Sequence, residues 1–220
     1  MGVLRGSSID LSTRQSLHAK NILHENLKRA TDLIGSLFLI ALLAPIFLVV
    51  GALVLMFDGR PLIHRRRVVG PSGEFDAFKF RTMSRDADRL LESDETMRNA
   101  FWQNFKLKSD PRVTRFGAFL RKFSLDELPQ LFNVLAGQMS LVGPRIITAP
   151  ELEKYGEHRK LLLTVKPGLT GYWQVYGRQE VSYSERVRMD MEYIEKRSPG
   201  MDLKLLAMTP LRVIRGKGAY

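Results

Sequence analysis

The strongest constraint on this chain is an uncharged apolar segment with basic residues on both sides. Residues 33–57 form a run of 25 residues without a charge, and roughly 20 apolar residues are enough for a membrane-spanning helix. Lys28 and Arg29 precede the run, while Arg60 and the basic residues 65–67 follow it. Because Lys and Arg favour the cytoplasmic side of membrane segments, a helix that crosses the bilayer would satisfy this preference at only one end.

Pro45 lies at the centre of the segment, with 12 of its residues on each side. A proline inside a helix removes one backbone hydrogen bond and kinks the helix. Each half would reach about 18 Å, against a hydrocarbon core of about 30 Å. A helix that enters the membrane, bends at Pro45 and returns to the same face satisfies both flanks. A tilted crossing helix is the alternative that the residues leave open, since membrane helices tolerate proline.

The charge balance indicates an anionic partner. Lys and Arg number 34 against 23 Asp and Glu, which gives a net charge of +11. In a membrane protein this excess favours anionic lipid headgroups or phosphate-bearing substrates. We do not expect nucleic-acid binding, because the sequence has neither a basic run interleaved with aromatics nor zinc-finger spacing. The chain has no cysteine, which excludes disulfides and thiolate chemistry.

The pattern divides the chain into three parts. Residues 1–27 form a polar N-terminal arm, residues 28–60 a membrane element and residues 61–220 a globular domain of ordinary size. Alternating side chains predict two strands at 62–69 and 74–83, with Lys79 and Arg81 on one face. Further elements are predicted as helices at 84–107, from about 125, at 184–196 and at 201–214, and as a short strand at 172–176.

Residues 112–123 predict an amphipathic helix. Phe116, Phe119 and Leu120 fall on one apolar stripe, while Arg115 and Lys122 lie off it. Such a helix suits the membrane interface, with its apolar face in lipid. Packing of the same stripe on the domain core is the alternative.

Ser124-Leu125-Asp126-Glu127 precedes an apolar helical pattern and permits two interpretations. It fits a capping box, in which Ser124 and Glu127 satisfy the first backbone amides of a helix. It also places two carboxylates in a first helical turn, where the macrodipole favours their ionised form. A helix start binds phosphate, so Asp126 beside Arg121 suits attack on phosphorus through an acyl-phosphate intermediate. A second carboxylate could hold Mg²⁺ together with substrate phosphates.

Two loops present arginines. Gly143-Pro144-Arg145 is a tight turn, and a glycine-bounded loop that begins at Pro167-Gly168 ends at Arg178. Arginine binds phosphate oxygens in a bidentate manner. Each loop alone is a weak signal, typical of an ordinary surface turn.

Taken together, these segments resemble the bacterial sugar transferase family, the small monotopic polyprenyl-phosphate phosphoglycosyltransferases, and within it the undecaprenyl-phosphate hexose-1-phosphate transferase type. The resemblance covers roughly residues 28–210, and the set is specific because order and spacing also agree. One departure is Ile146, where the family usually has proline after Gly-Pro-Arg. The matching stretches are Lys79–Met83, Ser124–Leu131, Ser140–Arg145, and Pro167–Gly171 continuing to Arg178.

The resemblance implies the architecture. We expect an α+β, mostly helical monotopic membrane protein with a re-entrant kinked helix broken at Pro45, interfacial amphipathic helices and a small β hairpin or sheet. Its catalytic domain, residues 61–220, would lie on the cytoplasmic face of the bacterial inner (plasma) membrane. Lys28 and Arg29 are implied to contact anionic membrane lipids, and the resemblance leaves room for a homodimer.

The resemblance also implies the reaction. A sugar 1-phosphate, with a lean towards a hexose, would pass from a UDP-sugar to undecaprenyl phosphate with release of UMP, the initiating step of cell-surface polysaccharide synthesis. Asp126 is implied as the nucleophile that holds the sugar phosphate, and Glu127 as its catalytic partner and the ligand of Mg²⁺. The cations assigned to substrate binding are Arg145, Arg178, Arg121, Lys79 and Arg81.

Two other functions fit the residues less well. One is a transferase on the same substrates that works through a direct ternary complex without a covalent intermediate. The other is a non-catalytic, membrane-tethered basic module that binds anionic partners, for which binding would depend steeply on salt.

Overall fold

A long helix that continues through the proline leads into the globular domain. The computed structural model describes residues 11–107, 109–177 and 181–215. Helix α1 (Leu11–Phe57) contains Pro45, so the described part of the polar arm continues directly into the apolar segment. Among the described residues, one helical stretch, His24–Phe57, is long and apolar enough to cross a membrane.

The two faces of α1 have different environments. Its outer face leaves large apolar side chains exposed, including Ile34, Phe38 and Leu48 at 70%, 63% and 76%. Its inner face packs on the domain, because Val50 and Val54 are buried there. One face of α1 is therefore buried on the domain, while the other presents an exposed apolar surface.

Two small sheets support the domain. The predicted hairpin is confirmed: β1 (Ile63–Gly70) pairs antiparallel with β2 (Gly73–Phe80). The register sets Lys79 opposite His64. A second sheet, absent from the prediction, pairs β3 (Ser140–Val142) in parallel with β4 (Gly168–Thr170).

The predicted helix at 84–107 is interrupted at Asp94. Helix α2 (Ala87–Ser93) ends there, and α3 (Glu95–Asn104) begins after it. The reason is local: Asp94 is extended, and its Oδ1 accepts a hydrogen bond from Met97 N at 2.9 Å, which makes it the N-cap of α3.

The later part of the chain is mostly helical. The two predicted C-terminal helices are confirmed as α9 (Tyr183–Lys196) and α10 (Pro199–Arg215), within a residue or two of the expected boundaries. The remaining helical elements are α4 (Arg115–Lys122), a 3-10 turn (Leu125–Glu127), α5 (Gln130–Leu135), α6 (Ala149–Leu152), a 3-10 segment (Glu153–His158), α7 (Arg159–Leu162), α8 (Tyr172–Tyr176), α9 (Tyr183–Lys196) and α10 (Pro199–Arg215).

The prediction of a strand at residues 172–176 was wrong. The strand of this region is β4, which ends at Thr170, and the chain then turns into α8 with Val175 N bonded to Gly171 O at 3.1 Å. The aromatic residues Tyr172, Trp173 and Tyr176 suggested a strand because they are common in sheets. Here the strand partner β3 is only three residues long, so pairing stops before the aromatics.

The apolar stripe of helix α4 is divided between the domain core and the protein surface. Leu120 is fully buried in a cluster with Val50 and Phe80. Phe119, one position earlier, is 50% exposed and stacks on Phe116 with ring centroids 6.1 Å apart. One side of α4 therefore packs on the domain while Phe119 faces outward. Arg112, the first residue of the predicted helix, lies before the start of α4 at Arg115 and is buried.

Candidate active site

The two carboxylates lie on a turn that the capping-box interpretation does not describe. Ser124 has a left-handed backbone (φ 54°, ψ 23°) and its side chain caps nothing. An N-cap residue needs an extended backbone, so the capping box was wrong. Because α4 ends at Lys122, the chain reverses at Ser124 and forms only the 3-10 turn before α5 begins at Gln130.

Cations from two other elements converge on this turn. Lys79, from β2, places Nζ 2.6 Å from Glu127 Oε1 and 3.9 Å from Asp126 Oδ2. Arg145 places Nη2 3.4 Å from the same Glu127 oxygen. Asp126 is 6% exposed, and the side chains of Lys79 and Glu127 are 14% and 17% exposed. The structure thus brings together four of the residues selected from the sequence.

The surroundings of the two carboxyl groups shift their pKa values in opposite directions. Burial raises the pKa of Asp126, with Lys79 opposing that rise. Burial also acts to raise the pKa of Glu127, but the charges of Lys79 and Arg145 outweigh it and hold that pKa at about 2. The sequence predicted that a helix dipole would keep both ionised. That reason fails, since the residues form a 3-10 turn outside α5, and for Asp126 burial acts in the opposite direction.

Arg145 is positioned by the contact between two glycine-containing loops. Gly143 N donates to Thr170 O at 2.9 Å, and Gly168 N donates to Pro144 O at 2.7 Å. A Cβ atom on Gly168 would overlap the Gly143 backbone, so the two segments can approach this closely only as glycines. The turn that contains Gly143 and the loop that begins at Gly168 therefore contact each other at the β3–β4 pair. Arg145 follows the end of β3 by three positions.

An aromatic and charged cluster that the sequence analysis missed borders Arg145. The guanidinium carbons of Arg145 and Arg186 lie 5.7 Å and 5.1 Å from the ring centroid of Trp173. Glu151 Oε1 lies 3.1 Å from Arg186 Nη1, and its Oε2 lies 3.6 Å from Arg66 Nη2. Arg66 could have been noticed from the basic run in β1, which was interpreted only as a membrane flank. No sequence spacing indicated Glu151 or Arg186.

Asp190 is buried next to this cluster. Its Oδ2 accepts a hydrogen bond from Tyr155 Oη at 2.7 Å, and its Oδ1 has no partner among the described residues. Burial raises the pKa of Asp190 to about 6, although the charge of Arg186 opposes the rise. The folded protein therefore keeps the proton on this carboxyl to a higher pH than an exposed aspartate would.

The other selected cations have different surroundings. Arg121 Nε donates to Thr82 Oγ1 at 2.9 Å, and its charge acts on Asp126. The Arg81 guanidinium donates to the backbone carbonyls of residues 58–60, in the turn after α1. Arg178 lies outside the described residues.

The site has a limited number of metal ligands. Within residues 11–107, 109–177 and 181–215, no group of three or more His, Cys, Asp or Glu side chains could hold a metal. Glu127 is ionised, with Oε1 engaged by Lys79 and Arg145 and no protein hydrogen bond to Oε2 in this described part. One free carboxylate oxygen beside two cations that can bind phosphate fits Mg²⁺, which takes one or two protein carboxylates plus substrate phosphates and water.

The site can be compared with proteins of known sequence. The family model described as bacterial sugar transferase matches residues 23–216. The chain is 43% identical over 198 residues to a UDP-galactose-lipid carrier transferase of Erwinia amylovora, which covers 88% of this chain and 42% of that protein. It is 42% identical over 199 residues to an undecaprenyl-phosphate galactose phosphotransferase of Salmonella typhimurium, with coverage of 88% and 42%. The chain therefore spans less than half the length of these two relatives.

A third relative has a similar length. The exopolysaccharide production protein ExoY of Rhizobium meliloti is 40% identical over 198 residues, which cover 88% of either chain. All four of the residues that converge in the site lie inside the matched range.

Proposed function

The chain belongs to the bacterial sugar transferase family, and on that premise we propose that it is an undecaprenyl-phosphate sugar phosphotransferase. It transfers a hexose 1-phosphate from a UDP-sugar to undecaprenyl phosphate and releases UMP. The observation that carries the proposal is the buried Asp126–Glu127 pair held between Lys79 and Arg145. The names of the relatives support a hexose and a role in exopolysaccharide synthesis.

In the proposed reaction, a carboxylate oxygen of Asp126 attacks the β-phosphorus of the UDP-sugar. The bond from that phosphorus to the bridging oxygen breaks, and UMP leaves with the electron pair. A phosphate oxygen of undecaprenyl phosphate then attacks the same phosphorus, and Asp126 returns to a carboxylate. The covalent intermediate lets one site use a water-soluble donor and a lipid acceptor in turn.

The electrostatics of the site support this division of roles. Asp126 accepts no hydrogen bond from the described residues, and its nearest cation, Lys79 Nζ, is 3.9 Å away. A buried carboxylate without such bonds is poorly solvated, which makes it more reactive towards phosphorus. Lys79 and Arg145 are placed to offset the charge of the incoming phosphates. Glu127 stays ionised and would hold Mg²⁺, which when bound would neutralise phosphate charge during the transfer.

The packing of α1 supports a re-entrant membrane helix. Lys28, near the start of the apolar segment, donates to Val142 O at 2.9 Å. Arg81 binds the backbone just after its end, and both contacts belong to the same domain. A crossing helix would separate its two ends by about 30 Å of hydrocarbon. One domain that holds both ends favours entry and exit on one face, which we assign to the cytoplasmic side of the inner membrane.

The reaction is tested by UMP release from purified protein in detergent, with Mg²⁺, undecaprenyl phosphate and a panel of UDP-sugars. We expect UMP with one hexose donor, parallel initial-rate patterns and a sugar-phosphate adduct in the intact mass. Asp126→Asn should abolish UMP release and the adduct while membrane association persists. Intersecting rate patterns without an adduct would favour the direct ternary route. An active Asp126→Asn protein would refute the nucleophile assignment, and no UMP with any donor would refute the enzyme.

The topology is tested with single cysteines, because the chain has none of its own. Asn26→Cys and Arg65→Cys place thiols at exposed positions on either side of the apolar segment. In intact cells, we expect a membrane-impermeant maleimide to label neither position, and lysis to expose both. Labelling of one position in intact cells would show that the helix crosses.

A further inference from the structure

Two neighbouring basic residues of α1 bind the backbone of the elements that carry the site. Arg29 Nη1 donates to Val134 O at 2.7 Å, and its Nη2 donates to Leu135 O at 2.8 Å. These carbonyls are at the C-terminal end of α5, where a helix lacks its own donors. A cation is also favourable at this end of a helix. Arg29 therefore fastens α5 to α1.

Lys28 makes the corresponding contact with the strand that leads to Arg145. Its Nζ donates to Val142 O at 2.9 Å, to Asp202 Oδ2 at 2.6 Å and to Tyr193 Oη at 3.5 Å. An ammonium has three donors, and these partners use all of them. Val142 is the last residue of β3, three positions before Arg145.

Asp32, one turn later on α1, holds the other end of the same strand. Its Oδ1 accepts hydrogen bonds from Ser140 Oγ and Leu141 N, both at 2.9 Å. Asp32 is 3% exposed. The turns of α1 just before the apolar segment thus hold both ends of a three-residue strand.

We propose that Lys28 and Arg29, the basic pair, are positioning residues for the proposed transfer reaction, on which this inference rests. Arg29 sets the place of α5, a helix of six residues that begins three positions after Glu127. Lys28 sets the place of β3 and hence of Arg145. The basic pair therefore fixes the carboxylates and their arginine relative to each other, from the helix that contacts the membrane.

A role in binding lipid headgroups makes different demands on the same residues. A headgroup recognises mainly positive charge, so lysine can replace arginine there. The α5 contact instead needs two parallel donors on one planar group, which lysine does not have. Arg29→Lys keeps the charge and removes the paired contact. Arg60→Lys is the matched control, because Arg60 is an exposed basic residue at the other end of the apolar segment.

The experiment measures steady-state UMP release and binding to anionic lipid vesicles for Arg29→Lys, Arg60→Lys and the unchanged protein. We expect Arg29→Lys to lower kcat about tenfold or more, as small misplacements of reacting groups do, with the KM for the UDP-sugar within about twofold. Vesicle binding should be unchanged, and Arg60→Lys should match the unchanged protein in both assays. Normal kcat in Arg29→Lys, or a loss explained by weaker vesicle binding, would overturn the proposal.

A second readout keeps this inference separate from the proposed function. If the unchanged protein releases no UMP, the proposed reaction fails, but amide hydrogen exchange still reports the contact. Faster exchange in peptides that span residues 125–135 of Arg29→Lys, with Arg60→Lys unchanged, would support the fastening of α5. Equal exchange in both variants would overturn it.

Discussion

Lys79 Nζ lies 2.6 Å from Glu127 Oε1, although the two residues are 48 positions apart in the chain. Both side chains are largely buried, so this ion pair links the hairpin to the carboxylate turn at low solvent exposure. A buried charge that loses its partner is costly. The pair therefore sets both the place and the protonation of Glu127.

Replacing Lys79 should change the pH dependence of turnover. In Lys79→Met both carboxyl groups, Asp126 and Glu127, lose the cation that acts to lower their pKa values. Both pKa values therefore rise, and the acidic limb of kcat/KM moves to higher pH. We also expect kcat to fall about 100-fold, the typical cost of one stabilising donor. Lys79→Arg, which keeps the charge, should leave the acidic limb in place. An unshifted limb in Lys79→Met would contradict this role.

Asp190 should make stability depend on pH. Its carboxyl titrates near 3.8 when unfolded, and burial raises its pKa to about 6 in the folded protein. Between these values the folded protein keeps a proton that the unfolded chain has lost, so the free energy of unfolding falls as pH rises. Asp190→Asn removes this loss. The free energy of unfolding of Asp190→Asn minus that of the unchanged protein should therefore increase with pH, by at most about 3 kcal/mol. Urea unfolding across this pH range measures it, and parallel curves would contradict the prediction. Exposed Glu157→Gln is the control.

Gly168→Ala should damage the site through the backbone. The added methyl group would overlap Gly143, and such overpacking typically costs about 1–3 kcal/mol. Because Arg145 follows this contact, we expect lower kcat together with a lower unfolding midpoint. Gly200→Ala, where a Cβ meets no atom within 4 Å, should retain both. A normal rate in Gly168→Ala would show that the close contact does not position Arg145.

Substitutions of two adjacent residues of α4 should affect different properties, one the stability and the other the binding to vesicles. Leu120 is fully buried, so Leu120→Ala should lower the free energy of unfolding by about 2–5 kcal/mol. Phe119 is half exposed, so Phe119→Ala should change stability by less than about 0.5 kcal/mol and weaken binding to vesicles. Unfolding in urea and vesicle flotation give the two values. Normal vesicle binding by Phe119→Ala would place α4 away from the membrane interface.

The elements with regular periodicity could be predicted from the sequence. The alternation in β1 and β2 and the long helical pattern of α9 and α10 reflect burial on one face, which local sequence records. The short pair β3–β4 was missed because three-residue strands carry no periodicity and form only through tertiary contact. The same pairing ends before Tyr172, which is why the aromatic run was assigned wrongly.

The sequence predicted which residues converge in the site better than it predicted what controls their ionisation. Asp126, Glu127, Lys79 and Arg145 converge as expected from the resemblance. The reason given for their ionisation failed, since the carboxylates lie in a 3-10 turn that ends before α5 begins at Gln130, and burial raises the pKa of Asp126. Side chains such as Glu151 and Arg186 were missed, because a buried ion pair depends on partners distant in sequence.

The hydrogen bonds from Arg81 to the turn after α1 connect the end of the apolar helix to the carboxylate site. Lys79 lies only two residues before Arg81, about 7 Å of extended chain. If the end of α1 moved, this short connection would carry the movement to the lysine beside the carboxylates. For an enzyme with the proposed function, the rate of transfer would then depend on how the end of α1 is held.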